Sequence, residues 1–208
     1  MTRSATLWRE AQPLVLASRS PARRTMLEAA AFPVDCDPAD VDEASIQSQA
    51  RARGTSGEEL AGALALAKAL RVSQRSPGRY VLGADQTLVL ANEVLSKPGS
   101  SGRARAQLKL LAGREHRLCS AAALVRDGAV LVETCASATI RFRPLSDAAI
   151  EDYFAVAGKT VEDCVGAYQL EALGVHLFEA VGGDYWTILG LPMLGLCAEM
   201  RRLGLLGT

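Results

Sequence analysis

Apolar positions fall into short continuous runs, and most runs are followed by residues spaced as on a helix. Residues 14–18, "LVLAS", form one such run, the pattern of a strand covered on both faces. Ser20 then offers an N-cap side chain and Pro21 suits the first helical position, so a helix is expected over 21–30 with Met26, Leu27 and Ala30 inward. "FPVDCDPADVDEAS" reads as a short strand passing into an acidic loop. Residues 57–72 carry Leu60, Leu64 and Ala67 on one helical stripe. "RYVLGAD" reads as a strand with Asp85 and Gln86 where it emerges, and "TLVLANEVLSKP" as a hairpin turning at Ala91 and Asn92.

Helical spacing returns over 104–111. Two long alternating runs then meet at Asp127-Gly128, a strong hairpin signal. "SDAAIEDYFA" opens with an N-cap and continues as a helix, "GVHLFEAV" reads as a late strand with His176 packed in it, and 191–203 as a closing helix. Strands alternating with helices point to an α/β fold. Neither a repeat nor a low-complexity linker divides the chain, and 71–80 reads as a surface loop. A flexible extension over 1–12 and one domain over 13–208 are expected.

Charge balance narrows the partners: 23 basic and 23 acidic residues cancel in a chain of 208. A general nucleic-acid coat or a polybasic membrane anchor would need an excess of positive charge, so neither partner is expected. The five cysteines are scattered without a CxxC pair, which is neither a disulfide framework nor a zinc cluster. They read as mostly buried small residues of a reducing cytoplasm. No continuous apolar stretch follows Arg3 and Arg9, so no signal peptide is expected, and none reaches transmembrane length.

The chemistry begins at Arg23 and Arg24. Two cations in a first helical turn are unfavourable unless an anion is shared between them and the free N–H groups. Strand, tight turn, helix start and guanidinium forks together make a phosphate cradle, set against the plainer reading that both arginines point into solvent. Asp85 follows an apolar run, where an acid is costly to bury unless paired or bound to a cation. Lys97 ends the hairpin begun after Asp85, and Asp42 and Glu43 lie in the acidic loop; each is equally readable as ordinary surface. Lys68 flanks the apolar stripe of its helix. Gly166, Gly174, Gly182, Gly183 and Gly190 punctuate a late segment suited to backbone lying close to a ligand, or to plain turns. His116 and His176 read as packed residues, and no P-loop or dinucleotide fingerprint is present.

The ordered set "LASRSPARR", "DVDE", "LALAKA", "LGADQ", "LSKP", "CVGAYQLEALG" and "GDYWTILGLPM" resembles the Maf family of nucleoside triphosphate pyrophosphatases. The resemblance runs over about residues 14–200. It implies a long mixed curved sheet flanked by helices, in two lobes about a central cleft, as in inosine triphosphatases. It also implies hydrolysis of a nucleoside triphosphate to monophosphate and pyrophosphate with a divalent cation, Mg²⁺ or Mn²⁺. On this reading Asp85 accepts a proton from water, and Ser18, Ser20, Arg23, Arg24 and Lys68 contact phosphate. Glu43 and Lys97 complete the catalytic set, with Asp85 and Glu43 as the metal carboxylates. Ala22, Gln86 and Glu171 fall on base-selecting positions.

Gln86 with Glu171 leans to the branch that acts on 7-methyl-GTP rather than dTTP and UTP. A carboxylate can accept two hydrogen bonds from guanine's N–H edge, and a cationic base favours an anionic partner and a stacked ring from Tyr168, Tyr185 or Trp186. The rival reading from the same resemblance is a nucleotide-binding regulator of septum formation without turnover. A homodimer is implied by the resemblance alone.

Overall fold

The computed structural model describes residues 7–207. A mixed sheet of seven strands runs through it: β1 (Leu14–Leu16), β2 (Val34–Cys36), β3 (Tyr80–Leu90), β4 (Glu93–Leu95), β5 (Glu115–Arg126), β6 (Ala129–Phe142) and β7 (Phe178–Gly182), with order β2-β1-β3-β5-β6-β7 and β4 beside β3. The first three strands in that order are parallel and the rest antiparallel. The helices are α1 (Pro21–Ala29), α2 (Glu43–Ala52), α3 (Gly57–Ser73), α4 (Ser101–Leu111), α5 (Asp147–Ala157), α6 (Tyr185–Ile188) and α7 (Met193–Arg202). The α/β expectation holds.

Two features of β3 organise the molecule. Its odd residues face α3, where Gly83 makes the contact: a Cβ there would stand 2.0 Å from the Ala65 carbonyl oxygen. The helix therefore lies flat on the sheet through Ala61, Ala65 and Ala69 against Ala121, Ala123 and Val125. The even residues face the other side and join two separate apolar clusters. Leu82 and Ala84 belong to one with Leu14, Leu27 and Leu196. Leu88 and Leu90 belong to the other with Leu108, Ile140 and Phe142. Gln86 stands between them, at the seam of two cores on one sheet face.

Several expectations need correcting. Asp85 and Gln86 do not sit where a strand ends, because β3 continues unbroken for 11 residues into the hairpin. The expected acidic loop ends in a helix, its residues 43–45 opening α2: the Asp42 side chain accepts from the Ser45 N–H at 3.0 Å, an N-cap bond that nucleates a helix. "GVHLFEAV" splits into a 3₁₀ turn, Leu173–His176, and β7, and His176 is exposed rather than packed. Of the cysteines only Cys119 is buried; Cys36 and Cys135 are exposed.

The expected flexible extension over 1–12 falls partly outside the described residues, and its inner part is not free. Trp8 is 2% exposed in the first core, packs edge-on to Tyr80, and its indole N–H donates to the Gln12 carbonyl. Buried indole area of this size anchors a segment that polar composition alone would leave loose. No helix among the described residues is long and apolar enough to cross a membrane.

Candidate active site

β3 is paired with β5 over residues 80–89, but its other edge is covered only in part. β1 reaches residues 81 and 82, and β4 takes up residues 88–90. Between them lies a stretch of interior strand with one edge open. The Ala17 N–H donates to the Leu82 carbonyl at 2.8 Å, the last rung from the β1 side. The next carbonyl on that side, Ala84, accepts from Arg23 Nη1 at 2.9 Å, so a guanidinium supplies the rung that backbone leaves off.

Arg23 reaches this position because only four residues separate the end of β1 from the start of α1. Ser20 caps the helix, its hydroxyl accepting from the Arg23 N–H at 3.4 Å, with Pro21 in the first turn. The guanidinium also donates to Ser18 Oγ at 3.1 Å and to the Gly190 carbonyl at 2.8 Å. Gly190 has φ +101, and an added Cβ would press within 3.3 Å of Arg23 Nη2. Burial lowers the Arg23 pKa, and the facing charges of Asp85 and Glu43 oppose that shift. The cation is held in the low-dielectric gap by neutral acceptors and distant carboxylates rather than by a direct ion pair.

On the α3 side, Lys68 bridges two acids, with Nζ 2.5 Å from Asp85 Oδ1 and 2.7 Å from Glu43 Oε1. Side-chain exposure grades outward across the trio, 10% for Lys68, 13% for Asp85 and 46% for Glu43. Three elements meet here: α3 supplies the ammonium, β3 the inner carboxylate and the first turn of α2 the outer one. A buried lysine is stable only when so paired. With Arg23 beside it, the cluster carries two positive and two negative charges and is neutral as it stands.

The expected residues separate into two groups. Ser18, Ser20, Arg23, Lys68, Asp85 and Glu43 converge. Arg24 does not join them: it lies on the exposed face of α1, paired to Glu28 at 2.6 Å. Ala22 is half-buried in the first turn of α1. Lys97 is exposed beyond β4 and shares the electrostatic surroundings of Cys164 with Glu171, which is exposed between Tyr168 and Gly174. Gln86 turns to the opposite face from Asp85, its amide nitrogen donating to Ser120 Oγ at 3.0 Å and to the carbonyls of Thr187 and Ile188 at 3.0 and 2.9 Å. α6 is capped by Asp184, which holds Thr187 through both its N–H and its hydroxyl.

Sequence reasoning did not find the carbonyls of Ala84 and Gly190 as the seat of Arg23. Only Gly190, within "GLP", left a mark in the sequence. Asp85 and Glu43 form a donor set that suits Mg²⁺ or Mn²⁺, ions that take one or two carboxylates and fill their remaining positions with phosphate oxygens and water. Among the described residues no group of three or more His, Cys, Asp or Glu side chains could hold a metal by itself.

Comparison with known proteins supplies the context. The family model described as "Maf-like protein" matches residues 13–203. A nucleoside triphosphate pyrophosphatase of Rhodopseudomonas palustris (strain ATCC BAA-98 / CGA009) is 50% identical over 204 residues, covering 98% of this chain and 100% of that one. A 7-methyl-GTP pyrophosphatase of Mesorhizobium japonicum is 47% identical over 193 residues, covering 93% and 97%. Among solved structures, a HAM1 protein from Coxiella burnetii overlaps 62% of this chain and 72% of its own at 16% identity and a TM-score of 0.38, too partial a likeness to bear on function.

Proposed function

The chain belongs to the Maf-like protein family, and on that premise we propose that it is a nucleoside triphosphate pyrophosphatase, cleaving between the first and second phosphates to leave a nucleoside monophosphate and pyrophosphate. The observation that carries this reading is the convergence of Arg23, Lys68, Asp85 and Glu43 at the open edge of β3. A triphosphate brings about four negative charges, and the α1 N-terminus with Arg23 beneath it stabilises charge that builds as the anhydride breaks.

Asp85 is the base in this reading. It is nearly buried yet tethered on one oxygen only, by Lys68, so its second oxygen is available to take a proton from an attacking water. Lys68 holds the carboxylate in place through that contact. Arg24 can leave its surface pair with Glu28 for an outer phosphate, because exposed ion pairs are weak. A divalent cation held by Asp85 and Glu43 would supply Lewis-acid polarisation of the phosphate oxygens.

A methylated guanine nucleotide is the substrate this reading favours. The Gln86 amide nitrogen is spent on two backbone carbonyls, so what it can offer a base is its carbonyl oxygen, an acceptor for an N–H edge. Glu171 adds a second acceptor and a negative charge suited to a cationic base. Such an enzyme would clear modified nucleotides before polymerases use them.

The test is a nucleotide panel with product identification in the presence of Mg²⁺, including 7-methyl-GTP, GTP, dTTP and UTP. Pyrophosphate and monophosphate are the expected products, with 7-methyl-GTP fastest. Orthophosphate as first product overturns the reaction, and dTTP and UTP cleaved far faster than 7-methyl-GTP overturns the base. Binding across the panel with no hydrolysis replaces the enzyme by a nucleotide sensor.

A further inference from the structure

His116 is the titratable side chain at the centre of the second core that the proposed chemistry does not use. It is 1% exposed, and burial pushes its pKa down to about 4, so the ring is neutral. Its Nε2 lies 2.7 Å from the Tyr168 hydroxyl, while its Nδ1 is buried with no hydrogen-bond partner. A buried ring nitrogen left unpaired is costly. The hydrogen bond to Tyr168 is the one polar contact the imidazole makes beside the Phe142 ring.

Tyr168 in turn pins a segment with little regular structure. Gly166, at φ +81, lies so close that a Cβ would stand 2.5 Å from Tyr168 Cε1 and 2.8 Å from Leu88 Cδ1. Leu88 is two residues along β3 from Gln86 and on the same face. Beyond Tyr168 the chain makes a turn closed by the Gly174 N–H donating to the Gln169 carbonyl at 3.0 Å, and Glu171 stands exposed at its tip. The turn is thus anchored at Tyr168 on one side and Gly174 on the other, and the Val165–Ala167 stretch just ahead of it packs on Leu88 of the strand that carries Gln86.

We infer that His116 is a positioning residue for base selection: through its hydrogen bond to the Tyr168 hydroxyl it sets where the 169–172 turn presents Glu171 to the nucleotide base. This rests on the nucleotide-hydrolysing reading above. It requires that loss of the bond loosen the turn and flatten discrimination between bases, while the phosphate chemistry at Asp85 is kept.

Tyr168→Phe removes the hydroxyl and keeps the ring against Gly166; His116→Phe removes the other partner, and His116→Gln keeps a side-chain group able to reach the hydroxyl. The expected result for both phenylalanine variants is a KM for the favoured nucleotide raised about tenfold, the worth of one well-placed hydrogen bond. The kcat of His116→Phe should stay near wild type, and in both variants the spread of kcat/KM across 7-methyl-GTP, GTP, dTTP and UTP should shrink. The double phenylalanine variant should be no worse than either single one, and His116→Gln should recover part of the spread. An unchanged spread in a folded Tyr168→Phe protein, or an equal loss for every nucleotide, overturns the inference. Affinities for the same four nucleotides are measured in an Asp85→Asn background, so absence of turnover in the wild-type enzyme sinks the hydrolase reading while the binding ratios still judge His116.

Discussion

Around Asp85 the protein buries charge, and around His116 it buries none. At the first place two cations and two carboxylates share an open strand edge, and each is held by a partner from a different element. At the second, a neutral imidazole and a phenol share one hydrogen bond inside an aromatic cluster. Charge is worth its desolvation only where a charged ligand will meet it; where the task is to hold a turn still, a neutral bond in a close-packed surround does so at less cost. The contrast teaches that the first cluster is poised and the second is rigid.

The sharpest break in that contrast is Asp85→Asn. Pyrophosphate release should fall about 10³-fold, the usual worth of a positioned base, with nucleotide binding retained by calorimetry. Near-normal turnover would make Asp85 a structural partner of Lys68 and remove the distinction between the two regions.

Lys68→Met comes next. It leaves the Asp85 and Glu43 carboxylates facing each other without their shared cation, and urea melts should show a loss of about 3 kcal/mol. If those two acids hold the divalent cation, Mn²⁺ should raise the melting temperature of this variant more than that of the wild type. Equal shifts would place the metal elsewhere.

A pH experiment probes the neutral region. The folded His116 pKa is about 4 against an ordinary 6.5, so between those values the unfolded chain binds the proton and the folded chain does not. Stability is therefore full above pH 6.5 and falls as pH drops toward 4, by about 3 kcal/mol in all at ~1.4 kcal/mol per unit. His116→Phe should flatten that slope; an unchanged slope would assign it to other groups.

Arg24→Ala is the smallest expected effect. Its side chain is exposed, so the melting temperature should not move, while KM for the triphosphate should rise severalfold. No change in KM would leave Arg23 as the arginine of this helix that matters to the ligand.

Much of this was legible in the sequence. Ser20-Pro21 marked the start of α1, and Asp127-Gly128 the long hairpin, because caps and left-handed turns depend on neighbouring residues alone. Asp85 stood out because an acid directly after an apolar run demands a cation if it is buried. What local pattern could not show was which of two adjacent arginines turns inward. That choice depends on the Ala84 and Gly190 carbonyls, one of them 167 residues away. The strand position of Asp85 was misread for a related reason: its polar pair looks like a strand end, whereas pairing with β5 carries the backbone straight through. α2 was missed because its helix-forming signal, the Asp42 cap, sits in a run of acids that reads equally well as solvated loop.

The uncovered edge of β3 has one more consequence. Where strand pairing lapses, a guanidinium stands in for the missing neighbour at the Ala84 carbonyl, so a short rail of main-chain groups sets where that cation points. The grip on a polyphosphate tail would then depend on main-chain alignment as well as on the side chain itself. Anything that levers α3 away from Gly83 should warp the rail itself, spoiling recognition from a position that never meets the tail.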